Sequence, residues 1–222
     1  MRQSWRSLRL STANPFQLPP VITNPVTHIV AANTPLWRVH PSKYAELAFN
    51  PGLGNARFSP IKDASGNFIP TIYAGSGIGA ALMETVYHDV PFGQGLKTYD
   101  RSRFGDMVIS CISCTRPLRL AKLFGPATRN YPSECGGLTL SDAIHYPSTR
   151  EWAKALHASG PLDGLIWVSR QHMDQLALML FGDRVSASDL RIIQRLSPIT
   201  LHPDASVQLD ELATEMGLIL LS

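Results

Sequence analysis

The polar side chains at the margins of apolar runs carry the chemical information in this sequence. They are Arg38 in "LWRVH", Arg57 in "GNARFSP", Tyr73 in "TIYAG", Glu84 in "GAALMETVYH" and Ser169 in "LIWVSR". Arg57 is the odd one. It stands among small, turn-forming and apolar residues, and the next acidic residue, Asp63, is six positions on. A permanent cation with no local carboxylate suits an anionic ligand, because the guanidinium fork matches phosphate geometry. A carboxylate at a cleft can stabilise a cationic sugar, as in glycoside cleavage. A tyrosine ring can stack on a flat heterocycle, and a serine hydroxyl can donate or accept one orienting bond. Each residue also has an ordinary reading. Arg38 pairs with a carboxylate, Arg57 is a solvated turn residue, Tyr73 is core, Glu84 is a helix charge, and Ser169 ends a strand.

The elements that must position these side chains follow from the apolar pattern. "PLWRVH" (35–40), "TIYAG" (71–75), "DMVISCISCT" (106–115), "LRLAKL" (118–123), "LDGLIWVSR" (162–170), "LALMLFG" (176–182) and "LRIIQRLSPITL" (190–201) read as strands. "SGIGAALMETVYHDV" (76–90) reads as a helix with Ser76 as its N-cap, since Ile78, Ala81, Leu82, Thr85 and Val86 share a face. Glu84 falls beside that face, one turn before His88, where a helix flank meets a cleft. "SKYAELAFN" (42–50) suggests one or two helical turns, and "VQLDELATEMGL" (207–218) a closing amphipathic helix. "LSDAIHYPSTREWAKALHAS" (140–159) is helical on both sides of Pro147, which is expected to break it. Residues 1–34, with "NPFQLPPVITNPV", read as an extended arm that packs on the domain or on a partner. Residues 35–222 then form one domain. The order of elements is not a regular strand–helix alternation. It predicts an α+β fold with a mainly antiparallel central sheet and flanking helices.

Composition narrows the function classes. The chain has 222 residues, 44% apolar and 17% charged, enough for a full core. A net charge of +3 without a lysine run does not argue for nucleic acid. No apolar run is long enough for a membrane span, and no apolar stretch follows the N-terminus as in a signal peptide. Three cysteines cannot all pair with one another, so a reducing cytoplasm is expected. Cys111, Cys114, Cys135 and His145 include a C-x2-C pair with zinc spacing. Yet "DMVISCISC" reads as a strand, where residues three apart face opposite ways. Buried apolar cysteines are the better reading, and no metal is expected.

A rival reading rests on "GSGIGA" (75–80), which fits the dinucleotide-binding fingerprint between a strand and a helix. It would make the protein an NAD-dependent oxidoreductase. Its context is poor, because no clear second parallel strand ending in an acid follows the helix. A non-enzymatic interaction module, with the arm and closing helix as its binding surface, is a further reading.

The order of the five residues resembles that of the RES-domain family, named for its Arg, Glu and Ser. The resemblance is carried by "LWRVH" (36–40), "GNARFSP" (54–60), "IYAGSGIGAALMETVYH" (72–88) and "LDGLIWVSR…LALMLFGDR" (162–184). Family members often carry Asn after the Arg–aromatic pair, where this chain has Ser59. RES proteins are bacterial toxins of toxin–antitoxin pairs. They degrade NAD⁺ by phosphorolysis or hydrolysis and have a fold similar to ADP-ribosyltransferases. The resemblance therefore implies Glu84, Arg57 and Ser169 as catalytic, and Arg38, Arg57, Tyr73 and Ser169 as substrate-binding. It implies NAD⁺ as substrate with no cofactor, inorganic phosphate as a candidate co-substrate, and a small DNA-binding antitoxin as partner. Transfer of ADP-ribose to a protein is the alternative chemistry. The physics agrees with cleavage: a carboxylate ~4 Å from a cationic sugar, at an effective dielectric of ~20, gains about 4 kcal/mol. That is roughly a thousandfold in rate.

Overall fold

A computed structural model describes residues 21–221 apart from 91, 92, 94, 132–134, 140, 142, 170, 171 and 173. Its strands in chain order are β1 (Thr27–Val30), β2 (Leu36–Pro41), β3 (Ile61–Lys62), β4 (Phe68–Ile69), β5 (Thr71–Gly75), β6 (Lys97–Asp100), β7 (Met107–Cys114), β8 (Leu118–Lys122), β9 (Gly164–Val168), β10 (Leu176–Phe181), β11 (Leu190–Pro198) and β12 (Leu218–Leu221). The helices are α1 (Ile78–Met83), α2 (Cys135–Leu138), α3 (Tyr146–Ala158) and α4 (Pro203–Glu215).

Eight strands form one sheet in the order β1-β8-β9-β10-β5-β2-β7-β11. Every neighbouring pair is antiparallel except β8–β9. The expected α+β architecture with a mainly antiparallel sheet is thus observed. β6 and β12 form a separate parallel pair, and β3 and β4 a short hairpin. Most of the 1–34 stretch lies outside the described residues. Its described end is extended and joins the sheet edge as β1.

Alternation along the strands sorts the core. Leu165 and Trp167 of β9 and Ala177, Met179 and Phe181 of β10 pack under Trp152, Ala153 and Leu156 of α3. Register carries the same face across to β2, through Ala177↔Gly75 and Gly75↔Trp37. There Val39 and Ile109 pack beneath α1 and α4. The opposite face, with Leu36, Ile72, Ile112, Ile166 and Leu178, is covered by loops that bring in Leu47, Phe49 and Phe124. No helix among the described residues is long and apolar enough to cross a membrane.

Three helix expectations need correction. The helix expected over 76–90 is only α1, with Gly77 rather than Ser76 as N-cap. Ser76 instead accepts from the Leu176 amide through Oγ at 2.9 Å, stitching the turn to β10. The chain leaves the helical path after Met83, and Tyr87 drops its ring into the core, where its hydroxyl donates to Leu209 O at 2.9 Å. Residues 42–50 form turns and no helix. The carbonyls of Glu46 and Ala48, which helical turns would use, accept from Arg38. Pro147 does not break a helix. It sits in the first turn of α3, where its missing N–H has no intrahelical partner to lose.

Candidate active site

The cleft opens beside β2 and β5, whose only pairing is Trp37↔Gly75. Past that point the strands separate, and a cavity of about 410 Å³ is lined by both strands, the 44–57 segment and the segment after α1. Arg38 fills the root of the split. Its Nε donates to Tyr73 O at 3.2 Å, and its terminal nitrogens donate to Glu46 O and Ala48 O. Burial pushes its pKa down to about 10, against the opposing pull of Glu46. The group is still fully charged at neutral pH. Arg38 therefore holds the 44–50 wall of the cleft as well as lining it. Of its five donors, these bonds take three.

Arg57, Glu84 and Ser169 converge on one carboxylate. Ser169 ends β9, is fully buried, and donates from Oγ to Glu84 Oε1 at 2.8 Å. Arg57 Nη1 lies 3.6 Å from Glu84 Oε2. The Arg57 side chain is 4% exposed and that of Glu84 16% exposed, so this pair sits at the cleft wall, largely out of bulk water. Arg57 was expected to lack a protein partner. Its partner is Glu84, distant in sequence and brought close by the fold. Among the described residues, Arg57 Nε is also buried without a hydrogen bond.

Glu84 is placed by the end of α1, where it is the C-cap residue. Ser169 is placed by contacts with the residues just before β10. Its N–H donates to Gln175 O at 2.9 Å, and its Oγ accepts from the His172 N–H at 3.2 Å. Gln175 in turn accepts the Ala80 amide at 2.9 Å through Oε1.

His172 and Gln175 account for two glycines of "GSGIGA", Gly77 and Gly79. A Cβ on Gly77 would lie 2.5 Å from Gln175 Oε1, and one on Gly79 would lie 2.5 Å from the His172 ring. The helix start is thus packed against a loop. The dinucleotide-fold reading fails on topology as well, since β5 is antiparallel to both β10 and β2.

Tyr73 is half-buried on β5, edge-on to Trp167 at 6.2 Å between ring centroids. Its hydroxyl donates to Ser59 Oγ at 3.1 Å. Burial pushes the phenol pKa up, more than the Ser59 bond lowers it, so the group stays neutral. The ring lines the cleft. Four of the five sequence-selected residues, Arg38, Arg57, Tyr73 and Glu84, therefore line one cavity, whereas Ser169 is fully buried and reaches it only through its bond to Glu84. Cys111 and Cys114 are buried within β7. Among the described residues no cluster of three potential metal ligands occurs. The side chain of Cys135 lies outside the described set.

Sequence reasoning gave no role to Tyr146, His88, His172 or Gln175. Tyr146 offered no local signal, because its contacts reach across the fold. His88 offered one, its position one turn after Glu84.

A sequence profile of the RES domain matches residues 35–203, a span that contains all five candidate residues. No curated protein matches the chain. Among solved structures, a chain of the M. tuberculosis MbcT–MbcA toxin–antitoxin complex shares the fold with a TM-score of 0.55. It is 12% identical, and the match covers 85% of this chain and 91% of that one.

Proposed function

Since the chain belongs to the RES-domain family, we propose that it is the toxin of a toxin–antitoxin pair and cleaves the nicotinamide–ribose bond of NAD⁺. The observation that carries this reading is the convergence of Arg57 and Ser169 on Glu84 beside the cleft. Bond cleavage sends the electron pair out with neutral nicotinamide and leaves positive charge on the ribose. The Glu84 carboxylate faces that charge. Ser169 fixes one carboxylate oxygen by donation, and Arg57 stands 3.6 Å from the other. An oxygen nucleophile, water or inorganic phosphate, then bonds to the sugar carbon and gives up its proton.

The remaining residues supply binding. Arg57 and the two uncommitted donors of Arg38 offer charge and hydrogen bonds to the diphosphate. The Tyr73 ring offers a face or edge for the nicotinamide. In this reading the protein needs no cofactor, acts in the cytosol, and is restrained by an antitoxin. The toxin–antitoxin complex among the fold neighbours supports an antitoxin partner, which is proposed to be a small DNA-binding protein. The proposal also sets the fold beside that of ADP-ribosyltransferases, which a mainly antiparallel sheet with a glutamate at its cleft supports.

The test is to incubate purified protein with NAD⁺, with and without inorganic phosphate, and identify products by chromatography. Free nicotinamide with ADP-ribose assigns a glycohydrolase. Free nicotinamide with a phosphorylated ADP-ribose, dependent on added phosphate, assigns a phosphorylase. Nicotinamide release only alongside a modified protein assigns transfer to that protein. Intact NAD⁺ after prolonged incubation with folded protein refutes the proposal.

A further inference from the structure

Arg57 makes a second contact besides Glu84. Its guanidinium carbon lies 5.9 Å above the ring of Tyr146, at the outer edge of cation–π range. Tyr146 opens α3 and is buried, and its hydroxyl lies 2.9 Å from His88 Nε2. His88 Nδ1 lies 2.9 Å from the Asp89 carboxylate. A carboxylate only accepts, so Nδ1 donates to Asp89, and in the neutral ring Nε2 accepts from the tyrosine hydroxyl. His88 lines the cleft, yet both of its nitrogens are occupied. It is therefore built to hold Tyr146 rather than to take a proton from a ligand.

The same turn of α3 grips Arg57 a second time. Thr149 Oγ1 lies within hydrogen-bond reach of Arg57 O and, at 3.1 Å, of Tyr146 O, and its single proton is shared between these two carbonyls. The backbone of Arg57 and the ring beneath its side chain are thus tied to one helical turn. Glu84 and His88 lie four residues apart on the same segment. That segment meets Arg57 twice, directly through Glu84 and indirectly through His88 and Tyr146.

We infer that His88 and Tyr146 are positioning residues for Arg57: the His88–Tyr146 hydrogen bond fixes the ring on which the guanidinium rests, and so sets the Arg57–Glu84 geometry. The inference rests on the proposed role of Arg57 and Glu84 in NAD⁺ cleavage. A contact at the edge of cation–π range is sensitive to small displacements. Losing the hydroxyl tether loosens the ring, and the guanidinium with it.

Two changes break the tether from opposite ends. Tyr146→Phe keeps the ring and removes the hydroxyl, and His88→Ala removes the acceptor. Each is expected to lower NAD⁺ turnover by about ten- to a hundredfold, the order of loss that small misplacements cause. Because both break one bond, the double variant is expected to be no worse than the poorer single. His88→Gln, whose side-chain oxygen can accept from Tyr146, is expected to recover most of the loss. A readout independent of activity is the isotope-labelled Nε–H resonance of Arg57, identified by its disappearance in Arg57→Lys. It should shift in Tyr146→Phe and His88→Ala and return toward wild type in His88→Gln. If wild-type protein leaves NAD⁺ intact, the proposed function falls, and the resonance alone decides the positioning role. If His88→Ala fails to fold, Tyr146→Phe and His88→Gln carry the test. Wild-type turnover with an unmoved resonance in folded Tyr146→Phe, or additive losses in the double variant, would overturn the inference.

Discussion

Ser169→Ala separates the catalytic meaning of the site from its structural one. The Ser169 hydroxyl donates to Glu84 Oε1 at 2.8 Å and accepts from the His172 N–H at 3.2 Å, in a fully buried position. Alanine removes both bonds and little volume. The bond to the carboxylate is charge-assisted, with a typical net value of ~1.5–3 kcal/mol. If it orients Glu84 in the transition state, turnover should fall by about 10- to 150-fold. The bond from the amide is neutral and contributes about 1 kcal/mol to stability. For a domain of this size that is a loss of roughly 2–4 °C in Tm. The assay pairs steady-state nicotinamide release with a thermal melt of the same preparation. A lowered Tm with unchanged kcat and KM would refute the orienting role and leave Ser169 as a loop anchor.

Other changes probe the frame of the cleft. Arg38→Ala should destabilise the protein by several kcal/mol, since three carbonyls lose their donor at about 1–3 kcal/mol each where buried; denaturant titration at wild-type stability would show that the 44–50 wall stands without it. Gly79→Ala drives a methyl to 2.5 Å from the His172 ring and should cut turnover by displacing the loop that carries Ser169; unchanged kinetics would show that the ring yields freely. Expression without a partner protein should arrest bacterial growth and deplete NAD⁺. Normal growth and normal NAD⁺ with soluble protein accumulating would count against the toxin proposal.

The strands of the site were legible because their cores are local patterns. "TIYAG", "LDGLIWVSR" and "LALMLFG" are apolar runs that become β5, β9 and β10 at the sheet centre, buried on both faces. What eluded the sequence was set by distant partners. Nothing near Arg57 announces Glu84, and nothing near Tyr146 announces His88. The turns at 42–50 look helical until Arg38, from a strand, takes their carbonyls. The glycines of "GSGIGA" match a phosphate-binding signature, yet the Cβ positions of Gly77 and Gly79 are filled by Gln175 and His172, far away in the chain. β6 and β12 escaped notice because each is four residues long and pairs in parallel with a strand far away in the sequence. Pro147 was misread because a proline inside a helical pattern and one at its start look alike until the boundary is known.

The most direct test of the central claim is the rate of nicotinamide release by Glu84→Gln beside wild-type protein. Glutamine keeps the volume and an oxygen that can accept from Ser169, and removes the charge that pairs with Arg57 and faces the ribose. A charge pair at ~4 Å and an effective dielectric of ~20 is worth about 4 kcal/mol, so the loss can approach a thousandfold. The account predicts a folded variant, with a melt lowered by the loss of the Arg57 ion pair, and at least a hundredfold slower release, to be read as ~3 kcal/mol of lost transition-state stabilisation. A folded Glu84→Gln protein that releases nicotinamide at the wild-type rate would contradict it.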